Sequence, residues 1–309
     1  MKKILSIDGG GIRGIIPARF LAALEAKIGP CAKAFDLIAG TSTGGIIAVG
    51  LTHPNSGGLG YTAAQLVELY QTRGKDIFSR PVGYELETSF GASGPKYPSA
   101  GIESVLAQFF GGTKMGQALT PVMVTSYDTN EPGPRFFKSW NDKDVLMKDA
   151  ARATSAAPTY FDPLLAGSSR FIDGGVVANN PALAAWVASS EIFGGDQDIF
   201  VVSLGTGNTE KKEDPKGWGL VKWAPLLIDV FMDGNSDLVD QNIREVLGTI
   251  NAGKQAHYFR YQVDLGTVTS SMDDASPPTI AALLWLADKL VAEKMYLIDH
   301  MASVLWGKA

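Results

Sequence analysis

The 309-residue chain has one cysteine, three histidines and no long apolar run. Each scarcity removes a class of protein. A single cysteine, Cys31, leaves no internal disulfide and no cysteine-rich metal site, so it reads as a small packing residue. No stretch approaches the roughly 20 apolar residues of a membrane span. Met1-Lys2-Lys3 looks like the start of a signal peptide, but Ile4-Leu5-Ser6-Ile7 stops at Asp8, too short for a signal core. The expectation is therefore a cytoplasmic protein. A net charge of −5 provides no basic surface for nucleic acid. Internal repeats and low-complexity tracts are missing too.

What remains is ordinary for a globular enzyme: 45% apolar and 19% charged residues. The length admits one large α/β domain or two smaller ones. No linker interrupts it, so a single domain over residues 1–309 is expected, with glycine-rich motifs within 4–207 and a helical part over 208–309. Ile4–Ile7, Phe35–Ala39, Thr120–Tyr127, Arg135–Lys138, Phe171-Ile172 and Ile199–Leu204 read as strands. Helical spacing recurs after the first glycine turn through about Ile28, and over Thr62–Arg73, Val145–Thr154, Trp223–Met232, Asp240–Thr249 and Thr279–Trp306. Pro81–Pro98, rich in Gly, Pro and Ser, reads as a long irregular segment. Strands alternating with helices predict a three-layer α/β/α fold around a mostly parallel sheet.

Gly40-Thr41-Ser42-Thr43-Gly44 follows the strand Phe35–Ala39. This is the G-x-S-x-G pattern of a nucleophile elbow, a strained strand-to-helix turn that lifts a serine into the open. The turn crowds the backbone two residues either side of the serine, where Gly40 and Gly44 stand. The run Gly45–Leu51 starts a helix whose positive end faces the Ser42 oxygen. The plain alternative is a strand-ending turn without chemistry.

Asp8-Gly9-Gly10-Gly11-Ile12-Arg13-Gly14 also fits the dinucleotide fingerprint G-x-G-x-x-G, with Asp36 about 22 positions after Gly14. A ribose-binding carboxylate belongs at the carboxyl end of the second strand, and Asp36 lies near the start of one. The loop pairs better with the elbow. Acyl transfer needs N–H groups aimed at the developing oxyanion, typically worth about 3 kcal/mol each, and consecutive glycines let backbone approach substrate closely. Gly9, Gly10 and Gly11 thus form a candidate oxyanion loop, with the Thr43 N–H as a further donor. Arg13 either braces that loop or attracts an anionic head group; its plain alternative is a surface arginine at a helix start.

The base is aspartate or histidine. Asp173-Gly174-Gly175 places a carboxylate at the end of an apolar strand, though a turn aspartate before glycine is common. A hydrolase triad in Ser, Asp, His order could draw on His257 or His300, since His53 precedes the aspartate. His257 opens a strand and His300 lies within a helical pattern, so both read as surface or packing residues. A Ser–Asp pair would need burial to raise the carboxylate's basicity.

Together, the segments Asp8–Gly14, Gly40–Gly44 and Asp173–Gly175 resemble the patatin-like phospholipases. Ala153–Phe161, Val177–Pro181, Ser203–Gly207, Tyr258–Arg260 and Met272–Ser276 are similar to patatin segments as well, so the resemblance spans nearly the whole chain. It implies a patatin-like α/β fold with Ser42 as nucleophile, Asp173 as general base and the triple glycine as oxyanion hole. Gly14, Gly40, Gly44, Gly174 and Gly175 support them. It also implies hydrolysis of acyl esters in phospholipids and other lipids, with no cofactor and no metal. The partner is then an acyl lipid, with peripheral membrane contact. Trp218 and Trp223 beside an apolar segment suit an interfacial anchor, although core packing is the favoured reading. Rival functions are an esterase or thioesterase for soluble acyl substrates, and a non-catalytic nucleotide-binding module.

Overall fold

Ile4-Leu5, Leu37–Ala39, Val122–Val124 and Ile199–Val202 are apolar at consecutive positions, the pattern of strands covered on both faces. The computed structural model describes residues 1–55, 57–81, 83–84, 94–208, 214–250, 257–266, 268 and 271–305. Its chain runs through β1 (Lys2–Ile7), α1 (Ile15–Ile28), α2 (Cys31–Ala34), β2 (Leu37–Thr41), α3 (Thr43–Thr52), α4 (Ala63–Ile77) and α5 (Ala100–Phe110). Next come β3 (Val122–Asp128), β4 (Gly133–Lys138), α6 (Met147–Thr154), β5 (Leu164–Ala166), β6 (Ser169–Asp173), α7 (Gly175–Ala178) and α8 (Ala182–Phe193). The chain continues through β7 (Ile199–Leu204), α9 (Leu220–Ile250), β8 (His257–Tyr261), α10 (Pro277–Glu293) and α11 (Met295–Leu305).

The strands form one sheet in the order β5-β6-β3-β2-β1-β7-β8, with β4 also paired to β3. The path β3-β2-β1-β7-β8 is parallel throughout. Alternate residues face opposite ways. Leu5, Ile7, Ile38, Val122, Val124, Phe200 and Val202 join a large core with α1, α3, α4, α5, α6, α10 and α11. Ile4, Leu37, Ala39, Met123, Ile199 and Val201 pack on α8 and on Ile243 of α9. Each fully buried Ile or Leu contributes about 1.5–3 kcal/mol, so both faces hold the sheet. The expected three layers are present, and Cys31 is buried in the larger core.

The antiparallel part decides where the site lies. β3 carries β4 along its length on one edge. Its other edge is shared end to end: β2 covers Val122–Thr125, with Thr41 opposite Thr125, and β6 covers Ser126–Asp128, with Asp173 opposite Ser126. The carboxyl ends of β2 and β6 therefore meet head-on beside β3. Strand–helix alternation fails here because β3–β4 and β5–β6 are joined directly, the latter through Gly167 at φ 61°.

Other boundaries also differ from the periodicity. The two helices expected at Trp223–Met232 and Asp240–Thr249 are one continuous α9. The intervening Asp233-Gly234-Asn235-Ser236-Asp237 breaks the apolar pattern, but Asn235 and Ser236 bond to Asn179 instead. The expected Thr279–Trp306 helix begins at Pro277 and divides at Lys294, and Trp306 lies outside the described residues. Of Pro81–Pro98, residues 82 and 85–93 lie outside them too. Helices α5 and α8 had no place in the periodicity reading. Among the described residues, no helix is long and apolar enough to cross a membrane.

Candidate active site

Ser42 stands between β2 and α3 at φ 54° and ψ −123°, a backbone region that costs a non-glycine residue on the order of 1–3 kcal/mol. Its surroundings hold it there. The Ser42 N–H donates to Thr154 Oγ1 at 2.8 Å, and a Cβ on Gly40 or Gly44 would strike backbone of Gly44 or of Ile7. The elbow thus needs both glycines, for the reason read from the motif. As residue preceding α3, Ser42 leaves its hydroxyl unused as a cap and free for another task. Thr43 begins the helix, where a first-turn N–H has no intrahelical acceptor. Its side chain bonds with the Tyr70 hydroxyl, which fixes the helix start against α4.

Gly9–Gly11 leave the end of β1 and pass over this turn. A Cβ on Gly9 would stand 3.1 Å from Ser42 Cβ and also collide with Asn179 Oδ1. Gly9 therefore lies against the serine with no room for a side chain. Its own N–H is committed, donating to Asn179 O at 3.2 Å. The Gly10 and Gly11 N–H groups have no acceptor among the described residues. Gly11 sits at φ 58°, with Met272 O bonded to the next N–H, of Ile12, at 2.8 Å. Thr206 Oγ1 donates to Gly9 O at 2.6 Å, which ties in the Ser203–Gly207 segment.

Arg13 is buried and donates from Nε to Gly10 O at 3.3 Å, so it is not the surface arginine of the plain alternative. Burial pulls its pKa down, while Asp233 and Asp229 of α9 oppose that shift. Gly14 admits no Cβ because Thr43 and Tyr70 lie against it.

Asp8, at the head of the glycine loop, forms a forked ion pair with Arg260 of β8, at 2.8 and 2.6 Å. Both side chains are buried. Arg260 also donates to Ser203 Oγ at 2.9 Å. Burial pushes the Asp8 carboxyl up and Arg260 draws it back. Asp36 sits at the opposite end of the sheet, accepting from the Lys3 N–H and Lys2 Nζ, both at 2.9 Å. It cannot serve a ribose at the glycine loop.

Asp173 ends β6 and is buried. Its Oδ1 accepts from the Gly175 N–H at 2.7 Å. Oδ2 closes no normal hydrogen bond, and the Ser42 side chain stands near enough to favour its charged form. Burial outweighs both effects and raises the pKa to about 7. Gly174 fits against Thr125, and a Cβ on Gly175 would stand 2.9 Å from Met232 Cε. Ser42, Asp173 and Gly11 line one cavity of about 30 Å³ with Phe78, Ala157, Tyr160, Met232 and Met272.

None of the histidines lines that cavity. His53 is buried at the end of α3, bonded to Thr113 at 2.9 Å; His257 and His300 are exposed. Among the described residues, no cluster of three His, Cys, Asp or Glu is arranged to hold a metal ion. Trp218 and Trp223 are partly buried and stack edge to face, with ring centroids 5.5 Å apart.

The model of a family described as patatin-like phospholipase matches residues 5–186, the stretch from β1 into α8 that contains the elbow, the glycine loop and Asp173. The chain belongs to the patatin-like phospholipase family. It is 35% identical to Patatin-like protein 2 of Arabidopsis thaliana, an alignment covering 93% of this chain and 82% of that protein. With Patatin-like protein 2 of Oryza sativa subsp. indica it shares 32% identity, over 97% and 86% of the two chains. The crystal structure of VipD from Legionella pneumophila aligns with TM-score 0.43 and 13% identity, over 94% of this chain and 67% of that one. As a patatin-like phospholipase the protein is a hydrolase of acyl esters of lipids.

Four residues around this patatin-like site escaped the motif reading. Thr154 and Asn179 lie inside segments that carry the family resemblance, but nothing in their spacing tells that they bond to Ser42 and to Gly9. Arg260 is 252 positions from Asp8, so only the sheet brings the pair together. Met232 looks like any apolar residue of a helix and had no signal at all.

Proposed function

We propose that the protein cleaves carboxylic esters of membrane lipids through a Ser42–Asp173 dyad and an acyl-enzyme. The observation that carries this reading is the buried Asp173 carboxylate beside the elbow serine, with one oxygen unpartnered and a pKa of about 7. A general base works best with a pKa near the working pH, and burial brings this aspartate there without histidine. Ionised Asp173 takes the Ser42 proton on Oδ2 while Oγ attacks the ester carbonyl. The oxyanion forms under the Gly10, Gly11 and Thr43 N–H groups. Gly9 serves by lacking a side chain, because its N–H is already bonded. As the tetrahedral intermediate collapses, Asp173 returns the proton to the departing alcohol and the acyl group stays on Ser42. Water, deprotonated by Asp173, then attacks the acyl carbon, and the fatty acid leaves as Ser42 recovers its proton. The Gly175 N–H bond to Oδ1 holds the carboxylate in place throughout.

Ser42→Ala and Asp173→Asn should each lower ester hydrolysis by at least about 10⁴-fold, with the folded state retained by circular dichroism. Wild-type turnover in either variant would reject the dyad.

A further inference from the structure

The cavity over Ser42 is about 30 Å³, room for a water but far below the roughly 300–1,000 Å³ of ordinary ligand pockets. As it stands this space is too small to hold an acyl chain beside Ser42. Met232 of α9 is one wall of that cavity, its Cε lying against both Gly9 and Gly175.

The two halves of α9 are attached differently. From Asn235 onward the helix is stitched to the site: Asn235 Oδ1 accepts from the Asn179 N–H at 2.7 Å, Asn235 Nδ2 donates to Gly175 O at 2.8 Å, and Asn179 Nδ2 donates to Ser236 Oγ at 3.0 Å. Before it, Asp229, Met232 and Asp233 recur at helical spacing, with Met232 buried and the two aspartates half-buried. The two carboxylates lie in one charge cluster with Arg13 and Tyr160 at the cavity. Between the halves stands Gly234, where an added Cβ would meet nothing within 4 Å. Packing does not require this glycine, and glycine weakens a helix interior by about 1 kcal/mol relative to alanine. On the sides of the helix away from Met232, Val230 and Phe231 are 51% and 56% exposed.

We infer that the first half of α9, Leu220–Asp233, is a hinged cover over Ser42 that bends at Gly234, and that a lipid surface docking on Val230 and Phe231 draws it open. The inference rests on the acyl-hydrolase reading above. Continuity with the site sets the occupant: the cavity beneath takes its ester from a lipid aggregate, and Val230 and Phe231 are exposed apolar residues on the helix that walls it. The edge-to-face Trp218–Trp223 pair at the start of the cover has the chemistry that settles at a membrane–water boundary.

The test is the rate at which an alkyl fluorophosphonate labels Ser42, read by mass spectrometry in buffer and with phosphatidylcholine vesicles. Vesicles should accelerate labelling of the wild type, and Phe231→Ser should lose that acceleration, as should Val230→Ser. Met232→Ala should label fast in buffer alone. Gly234→Ala should fold normally and label about fivefold more slowly than wild type, the equivalent of its gain in helix propensity. Adding Met232→Ala should remove that deficit. Wild-type rates for Met232→Ala or Gly234→Ala, or no effect of vesicles, would overturn the cover. Absence of label from Ser42 in every protein would instead overturn the hydrolase reading beneath it.

Discussion

Asp173 is a carboxylate whose folded pKa, about 7, lies above its ordinary value of 3.8. Two consequences follow at the scale of this one residue. As the proposed base it must be ionised, so kcat/KM should rise about tenfold per pH unit below pH 7 and level off above it. Stability moves the other way. Because the folded state binds this proton more tightly than the unfolded chain, the group's contribution is fully present below about pH 4 and is lost as pH rises through 7. Asp173→Asn has no such loss. The difference in melting temperature, variant minus wild type, should therefore climb between pH 4 and pH 7 and stay flat beyond. A difference independent of pH would mean that Asp173 titrates as an ordinary surface carboxylate. Ser42 was legible at this scale because its neighbours must be glycine: the chemistry and the steric demand share five consecutive residues. The pKa of Asp173 was legible only as a requirement, since the burial that supplies it comes from strands distant in sequence.

Among elements, the Asp8–Arg260 fork joins the loop after β1 to the strand β8, the outermost member of the parallel run. It fixes where Gly9–Gly11 leave the sheet. Arg260→Met should cost about 3–5 kcal/mol, because it leaves Asp8 buried and unpaired. Asp8→Asn combined with Arg260→Met should recover a substantial part of that loss in urea unfolding. Equal destabilisation of the single and double variants would reduce Arg260 to a packing residue. Strand identity here was legible from short apolar runs before glycines. Pairing was less so. The direct β3–β4 and β5–β6 connections carry no helix, and these bring Asp173 to Ser42 from the antiparallel side rather than along a parallel strand. Nor does apolar periodicity carry α9 across Gly234, where polar side chains bond to α7 and the following loop instead of to a core.

For the whole molecule, the proposed dyad turns on the histidines, none of which lines the Ser42 cavity. His257 and His300 are exposed on β8 and α11 and stack edge-wise or flat against Phe259. Their joint replacement by glutamine should leave ester hydrolysis within about twofold of wild type, in line with the small effects of surface substitutions. Loss of activity would restore a triad. The same assay separates lipid from soluble substrates: phospholipid vesicles should be hydrolysed with higher kcat/KM than a short-chain nitrophenyl ester, and the reverse ranking would favour a soluble esterase. Family and fold class were legible from segments spread along nearly the full chain, four of which (Asp8–Gly14, Gly40–Gly44, Asp173–Gly175 and Ser203–Gly207) sit where a strand ends in a turn.

The most direct test of the central claim is rapid-quench trapping of the acyl-enzyme from a long-chain nitrophenyl ester, with the modified peptide sequenced by mass spectrometry across a pH series. The account predicts an acyl group on Ser42, forming at a rate that follows an ionisation near pH 7 and persists in His257→Gln/His300→Gln. An acyl group on any other residue, or its disappearance in the histidine variant, would contradict it.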